Sequence, residues 1–277
     1  MSSGSPLIRK GYVDTAKGQV HYRRAGTDGA TPLILLHQSP ESGAMFDAVL
    51  PGFAEKGYLA IALDLPGHGL SYRPEEEPDL AALSEGTLEA VKALRLGEAV
   101  DYVGHHTGAG VALWIAATHP SSVRRLALWG IPLLNEEWQK KLADEAPPTY
   151  SDDGSELAQQ WTLLCEHYPG MNFGRKVDFL VGALQTKETK AWAHRAIGRA
   201  DVRSLIEQVK QPVLAIASDK EILGEATRES VPLFRDAVYH DIPGADLDVA
   251  DTHGLEFITA VHAFCQEVKI VQSVIRS

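Results

Sequence analysis

Short apolar runs that alternate with helical patterns are the feature that most constrains the fold of this chain. The run Pro32–His37 is bounded by turn-forming residues, as is typical of a strand buried on both faces of a sheet. Comparable runs lie at Tyr58–Leu63, Ala99–Val103, Arg125–Trp129, Pro212–Ala217 and Val238–Ile242. Two shorter β-rich segments precede them, near Gly11–Asp14 and Gln19–Arg24.

Helical patterns fill the spaces between the later runs. They lie at Met45–Glu55, Asp79–Leu94, Val111–Thr118 and Leu255–Val268. Strands that alternate with helices are joined by right-handed crossovers. The sequence therefore predicts an α/β fold with a mostly parallel central sheet flanked by helices.

One long stretch breaks the alternation. Residues 132–208 contain no buried strand run but are rich in aromatic side chains: Trp138, Tyr150, Trp161, Tyr168, Phe173 and Trp192. We expect a helical cap insertion here, over one end of the sheet. Residues 1–131 and 209–277 would then form the core domain.

The amino-acid composition limits the classes of partner that the protein is expected to bind. The 277 residues carry a net charge of −11, which disfavours nucleic acid and anionic membranes because like charges repel. The cysteines, Cys165 and Cys265, are expected to be buried free thiols. The start lacks the apolar core of a secretory signal, and no run is long enough to span a bilayer. We therefore expect a cytoplasmic protein, with its oligomeric state open.

A nucleophile-elbow pattern follows the run Ala99–Val103. The chain continues as Gly104-His105-His106-Thr107-Gly108-Ala109 and then enters an apolar helix. This is a small-x-nucleophile-x-small pattern in the strand–turn–helix context that it requires. Small residues flank the turn because larger side chains would clash with the strand and the helix. The nucleophile position holds His106.

Three further motifs occur in the order and spacing of a known family. They are Leu36-His37-Gln38-Ser39-Pro40, Asp64-Leu65-Pro66-Gly67-His68-Gly69-Leu70-Ser71 and Asp251-Thr252-His253-Gly254. With the elbow, they resemble the α/β-hydrolase fold superfamily throughout the chain outside the cap. The chain is identified as an atypical member, because the elbow carries histidine where the family carries serine, cysteine or aspartate.

The resemblance implies the remaining site residues. His253 matches the late catalytic histidine. Glu221 stands where the family acid usually stands, with Asp219 as the alternative, and either would orient His253. The backbone N–H groups of Gln38 and Thr107 would form the oxyanion hole.

The role of His106 stays open between three possibilities. It could attack a carbonyl as a nucleophile and form an acyl-imidazole that water hydrolyses. It could instead act with His253 in acid–base chemistry, as in cofactor-free lyases, decarboxylases or oxygenases. Or it could line the pocket of a catalytically silent small-molecule binder. We expect the first, a hydrolase that acts on an ester, lactone or related acyl bond of a small, partly apolar substrate.

Four other side chains are candidate substrate contacts: Ser39, Trp129, Trp138 and Trp161. Ser39 could donate to a substrate oxygen or replace the nucleophile, or it could simply satisfy the backbone of its loop. Tryptophans of a cap also build helical cores.

Several histidines raise the possibility of a metal site. His37, His105, His106 and His253 could ligate zinc or another transition metal. However, His37, His105 and His68 match family positions that are structural, so we expect these rings to be buried and hydrogen-bonded by neighbouring backbone. No dinucleotide fingerprint, phosphate loop or zinc pattern is present. We therefore expect no metal and no cofactor.

Overall fold

The structure is a computed structural model that describes residues 6–266 of this chain. These residues form one eight-stranded sheet covered by helices. The strand order is β1-β2-β4-β3-β5-β6-β7-β8. The β1–β2 and β2–β4 pairs are antiparallel and the other pairs are parallel. The strands are β1 Arg9–Thr15, β2 Gly18–Ala25, β3 Thr31–Leu36, β4 Tyr58–Leu63, β5 Val100–His105, β6 Val123–Trp129, β7 Val213–Ala217 and β8 Ala237–Asp241. The predicted fold class is confirmed.

Helices cover both faces of the sheet. They are α1 Leu50–Glu55, α2 Leu80–Ala93, α3 Thr107–Thr118, α4 Glu136–Ala143, α5 Ser155–His167, α6 Phe173–Thr186, α7 Thr189–Arg199, α8 Val202–Gln208, α9 Gly224–Ser230, α10 Val249–Thr252 and α11 Gly254–Cys265. Helices α2, α3 and α8 share one hydrophobic core with the sheet, and α1 and α11 share the other.

Burial on both faces explains the unbroken apolar runs. Along β3, Ile34 and Leu36 enter the core beneath α2 and α3, whereas Leu33 and Leu35 enter the core beneath α1 and α11. Successive side chains of a strand point to opposite faces, so a strand between two helical layers needs apolar residues at every position. The central strands therefore read as continuous hydrophobic runs.

The predicted helix Met45–Glu55 is in fact two pieces. A short 3-10 helix, Gly43–Phe46, precedes α1, and Pro51 lies in the first turn of α1. Proline lacks an N–H, so it fits the start of a helix better than its interior. The predicted last helix extends to Val268, but residues 267 and 268 lie outside the described part of the chain, as do residues 1–5 of the start.

Five helices, α4–α8, separate β6 from β7, and the described residues between these two strands contain no strand. We call residues 132–208 the cap segment. Three of its helices begin at a side-chain cap, in which Asn135, Asn172 or Asp201 accepts a backbone N–H from the first turn. Such caps satisfy amides that have no partner within the helix.

Both cysteines are free, as predicted, although each is only partly buried. Within residues 6–266, no helix combines the length and the apolar character needed to cross a membrane.

Candidate active site

The elbow places His106 on a sharp turn between β5 and α3. Its backbone has φ of 45° and ψ of −105°, a positive φ that is uncommon for a residue with a side chain. A Cβ on Gly104 would lie 2.7 Å from Ala109 Cα, and a Cβ on Gly108 would overlap the carbonyl of Leu36. Only glycine fits on either side of this turn.

Glu221 is the hydrogen-bond partner of His106. The Nε2 atom of His106 lies 2.7 Å from Oε1 of Glu221, which also accepts the Leu223 N–H at 3.0 Å. The indole N–H of Trp129 donates to Oε2 at 2.5 Å. Because β5, β6 and β7 are neighbours in the sheet, their carboxyl ends bring these residues together.

Glu221 is ionised at neutral pH. Its side chain is fully buried, and burial alone would raise its pKa. Interactions with the rings of His106 and His105 outweigh burial and hold the pKa of Glu221 well below its usual value. An ionised carboxylate can only accept a hydrogen bond, so His106 carries its proton on Nε2.

The other ring nitrogen of His106 remains available to a ligand. Within the described residues, Nδ1 has no hydrogen-bond partner, and His106 lines a cavity. Gly130 packs against the opposite ring edge: a Cβ there would overlap Cδ2 and Nε2 of His106. Gly130 has φ of +65° and was not identified from the sequence. Its only sequence signal is a glycine directly after β6.

The structure does not pair His253 with Glu221, so the expected base–orienter pair is wrong. Among the described residues, His253 has its side-chain hydrogen bond with Thr252 Oγ1, at 3.0 Å from Nδ1, and does not line the cavity. The donors that Glu221 accepts are instead His106, Trp129 and the Leu223 N–H. The imidazole at the elbow takes the place beside the acid.

Of the two candidate acids, Glu221 lies in the site and Asp219 does not. Asp219 is exposed and accepts the backbone N–H of Gly244 at 3.0 Å. The sequence left open which of the two carboxylates lies in the site, and they differ in burial: Glu221 is buried, whereas Asp219 is exposed. This difference does not test whether Glu221 is catalytic, which stays a prediction.

His37 and His105 are both buried but differ in their hydrogen bonds. His37 is buried and hydrogen-bonded as expected, with Nδ1 at 2.8 Å from Gln38 O and Nε2 accepting the Leu65 N–H at 2.9 Å. His105 is also buried, but the expected backbone bonds are absent: in the described chain neither ring nitrogen has a partner. Its Nε2 lies 3.9 Å from Glu221, and its ring packs edge-on against those of its neighbours.

Metal-ligand atoms of His105, His106 and Glu221 lie within 4.8 Å of one another. His37 and His253, which the sequence also suggested, do not belong to this group of described residues. The expected absence of a metal stays a prediction.

A cavity of about 420 Å³ lies between the elbow and the cap segment. Its sheet end is formed by Gln38, Ser39, His106 and Thr107, and cap residues form much of the rest. The apolar cap residues that line it are Leu134, Trp138, Leu142, Leu163, Leu164, Phe179, Leu180 and Ile197. Such a space suits a molecule with a substantial apolar part.

Two of the four candidate substrate contacts line this cavity and two do not. Ser39 and Trp138 are lining residues. Trp129 is buried beneath the site, where it holds Glu221, and Trp161 packs its ring against Phe173, 5.6 Å between centroids. The expectation that Trp129 and Trp161 contact the substrate is therefore wrong for this structure.

The oxyanion-hole candidates also border the cavity. Thr107 is the first residue of α3, where a backbone N–H has no carbonyl partner within the helix. Its Oγ1 accepts the Ser39 N–H at 3.3 Å. Gln38 anchors its loop by donating from Nε2 to Glu41 at 3.3 Å. The oxyanion role of Gln38 and Thr107 stays a prediction.

Arg175 fastens the cap segment to the core. This buried residue of α6 donates to Glu41 at 2.5 Å and to Asp251 at 2.9 Å, and lies 3.5 Å from Asp248. The carboxylates raise the pKa of Arg175 further, although its burial opposes this. The cap segment thereby contacts Asp248 and Asp251, which lie in the segment that leads to His253.

Comparisons with known proteins support this assignment of fold. A family model described as the alpha/beta hydrolase fold matches residues 31–161. The structure of bromoperoxidase from Bacillus anthracis superposes with a TM-score of 0.77, covering 94% of this chain and 100% of that one at 17% identity. The chain therefore has the α/β-hydrolase fold. The resemblance expected from the motifs is thus confirmed.

Two curated relatives of this α/β hydrolase are enzymes. Non-heme chloroperoxidase of Burkholderia pyrrocinia is 36% identical over 107 residues, which span 38% of each chain. Pimeloyl-[acyl-carrier protein] methyl ester esterase of Neisseria meningitidis is 29% identical over 212 residues, 73% of this chain and 79% of the esterase. The prediction of an enzyme from the hydrolase class is confirmed at the level of the family.

Proposed function

We propose that this protein hydrolyses an ester, lactone or related acyl bond of a small, partly apolar molecule, with His106 replacing the usual serine. The observation that carries the proposal is the 2.7 Å hydrogen bond between His106 and buried Glu221 at the elbow. The carboxylate fixes the ring tautomer and stabilises the positive charge that develops on the imidazole during reaction.

Two hydrolytic routes use the same nitrogen. In the first, Nδ1 of His106 attacks the carbonyl carbon and the bond to the alkoxide breaks. The alkoxide takes a proton from water, and the hydroxide so formed hydrolyses the acyl-imidazole. In the second, Nδ1 takes a proton from water and the resulting hydroxide attacks the carbonyl; the alkoxide then leaves and takes that proton from Nδ1. In both, the Thr107 N–H at the start of α3 would stabilise the negative oxygen, with Gln38 as the second predicted donor.

The relatives and the cavity favour an acyl substrate. The meningococcal protein, similar over most of its length, is named for the cleavage of a methyl ester. The apolar cap side of the cavity would hold the hydrocarbon part of such a substrate, while the polar end near His106 would hold the carbonyl group.

A second candidate function is proton-transfer chemistry without hydrolysis, by a cofactor-free lyase, decarboxylase or oxygenase. The observation that favours it is that His106 and Glu221 already form an oriented base pair without His253. Such a pair suffices to remove a proton next to a carbonyl.

The test compares p-nitrophenyl esters of increasing acyl length as substrates for wild type, His106→Ala, His106→Ser and His119→Ala. His119, at the end of α3 and outside the cavity, is the matched histidine control. We expect His106→Ala to lower kcat/KM by about 10²–10⁴-fold, the usual contribution of a catalytic base. His119→Ala should match wild type.

Each other outcome is decisive. Equal hydrolysis by wild type and His106→Ala would refute the role of His106. An inert wild type with an active His106→Ser would refute hydrolysis and favour the second candidate. Ligand-induced stabilisation without any product would identify a binder.

A further inference from the structure

Ser39 forms a second polar chain at the sheet end of the cavity. Its Oγ atom lies 3.0 Å from Nε2 of His68, and the Nδ1 atom of His68 lies 3.2 Å from the backbone oxygen of Pro66. His68 is 1% exposed, while Ser39 lines the cavity beside His106.

The direction of these hydrogen bonds follows from chemistry. A backbone carbonyl can only accept, so the Nδ1 atom of His68 carries a proton. Burial, with the repulsion of nearby His37, lowers the pKa of His68 to about 3, so the ring stays neutral and its Nε2 atom is an acceptor. The hydroxyl of Ser39 must therefore donate its only proton to His68.

A serine that has donated its proton presents only lone pairs to the cavity. Within the described chain, Oγ of Ser39 has no hydrogen bond besides that with His68. The backbone N–H of Ser39 is engaged too, with Thr107 Oγ1 at 3.3 Å. The sequence left donation to a substrate oxygen open for Ser39, and this geometry opposes it.

We propose that Ser39 is a specificity-determining acceptor, which selects carbonyl compounds with a hydroxyl or N–H group close to the reacting carbonyl. The donor must lie close because Ser39 contacts Thr107, which directly follows His106 in the chain. This inference rests on the proposed function in taking a carbonyl compound as the ligand.

Binding measurements test the inference without requiring turnover. Three ketones of equal chain length serve as probes: 1-hydroxy-2-octanone, 1-methoxy-2-octanone and 2-octanone. The methoxy compound can accept a hydrogen bond but cannot donate one. We expect wild type to bind the hydroxy ketone about tenfold more tightly than the methoxy ketone by calorimetry, as one hydrogen bond provides.

Three variants separate the acceptor role from a structural one. Ser39→Ala should reduce the hydroxy-to-methoxy preference to about one, and Ser39→Thr, which keeps the hydroxyl, should retain most of it. In His68→Phe, the Ser39 proton is free to donate, so the methoxy ketone should gain affinity. Thermal unfolding checks that each variant folds. If His68→Phe does not fold, Ser39→Ala alone is enough to test the acceptor role.

The proposal is overturned if wild type does not discriminate between the ketones, or if Ser39→Ala keeps the preference. Labelling of Ser39 by a fluorophosphonate would also overturn it, because Ser39 would then be a nucleophile. Failure of ester hydrolysis with a persisting ketone preference would refute the proposed function alone. The reverse result would refute only the role of Ser39.

Discussion

Two imidazole rings support the sheet end of the cavity, and they differ in the group that accepts their N–H. His106 donates to the ionised carboxylate of Glu221, whereas His68 is held by the neutral carbonyl of Pro66. A carboxylate stabilises positive charge on an imidazole ring, as the proposed reaction of His106 requires. The Pro66 carbonyl raises the pKa of His68 too little to offset burial, which lowers it to about 3.

The two histidines therefore have different roles in the proposed reaction. There, the bonding of His106 changes. His68 stays neutral and instead fixes the proton of Ser39. A histidine next to a hydroxyl is thus not by itself a nucleophile–base pair, because burial can make the ring too weak a base.

Among the variants that test the difference between His106 and His68, we expect Glu221→Gln to have the largest effect on activity. An amide is neutral, so it removes the charge that stabilises an imidazolium while keeping nearly the same size. We expect kcat/KM of ester hydrolysis to fall by about 100-fold or more, measured beside Glu225→Gln as an exposed control on α9. Unchanged activity would mean that His106 works without its carboxylate.

A smaller loss is expected from Gly130→Ala. The new methyl group would overlap the edge of the His106 ring, and φ of +65° is unfavourable for alanine. The ring should move away from Glu221, lowering kcat/KM about tenfold and the free energy of unfolding by about 1–2 kcal/mol. Gly29→Ala is a control for the backbone strain alone, because φ is +86° there and an added Cβ would contact nothing within 4 Å. Equal effects on activity in both variants would contradict the ring-displacement argument.

The buried neutral histidines should make stability depend on pH. Burial lowers the pKa of His68 to about 3 and that of His105 to about 4, from the ordinary value of 6.5. Below pH 6.5 the unfolded chain therefore binds protons that the folded chain does not, so these groups destabilise the fold as pH falls. Asp248, whose pKa burial raises to about 8, acts in the opposite direction.

The measurement that isolates one histidine is the Tm of wild type and His105→Leu between pH 7.5 and 5. The Tm of the variant should fall less, with a difference of about 2–4 °C for each kcal/mol that His105 contributes. Parallel curves would show that His105 does not change protonation on unfolding in this range.

The smallest effect is expected from His253→Ala. Within the described residues, the side chain of His253 hydrogen-bonds only Thr252, so its loss should change kcat/KM by less than about twofold. A loss as large as that in His106→Ala would place His253 in the reaction, and would require α10 and α11 to rearrange toward Glu221.

Much of the fold was predictable because local patterns determine it. The buried runs became β3–β8 with bounds that differ by at most two residues, since strands between two helical layers need apolar residues throughout. The Gly104 and Gly108 frame likewise identified the elbow, because a turn this tight excludes side chains on both sides. Pro51 divided a predicted helix for an equally local reason.

The sequence by itself determined the sheet, the elbow and the presence of His106 at its tip, because each depends on residues close together in the chain. Only the tertiary structure decided which partners meet. Glu221 lies 115 residues from His106 and satisfies it directly, leaving His253 outside, and Trp129 turns inward to hold the carboxylate. Such choices depend on which strand ends are adjacent and on which distant residues they bring together, and neither is visible in a linear motif.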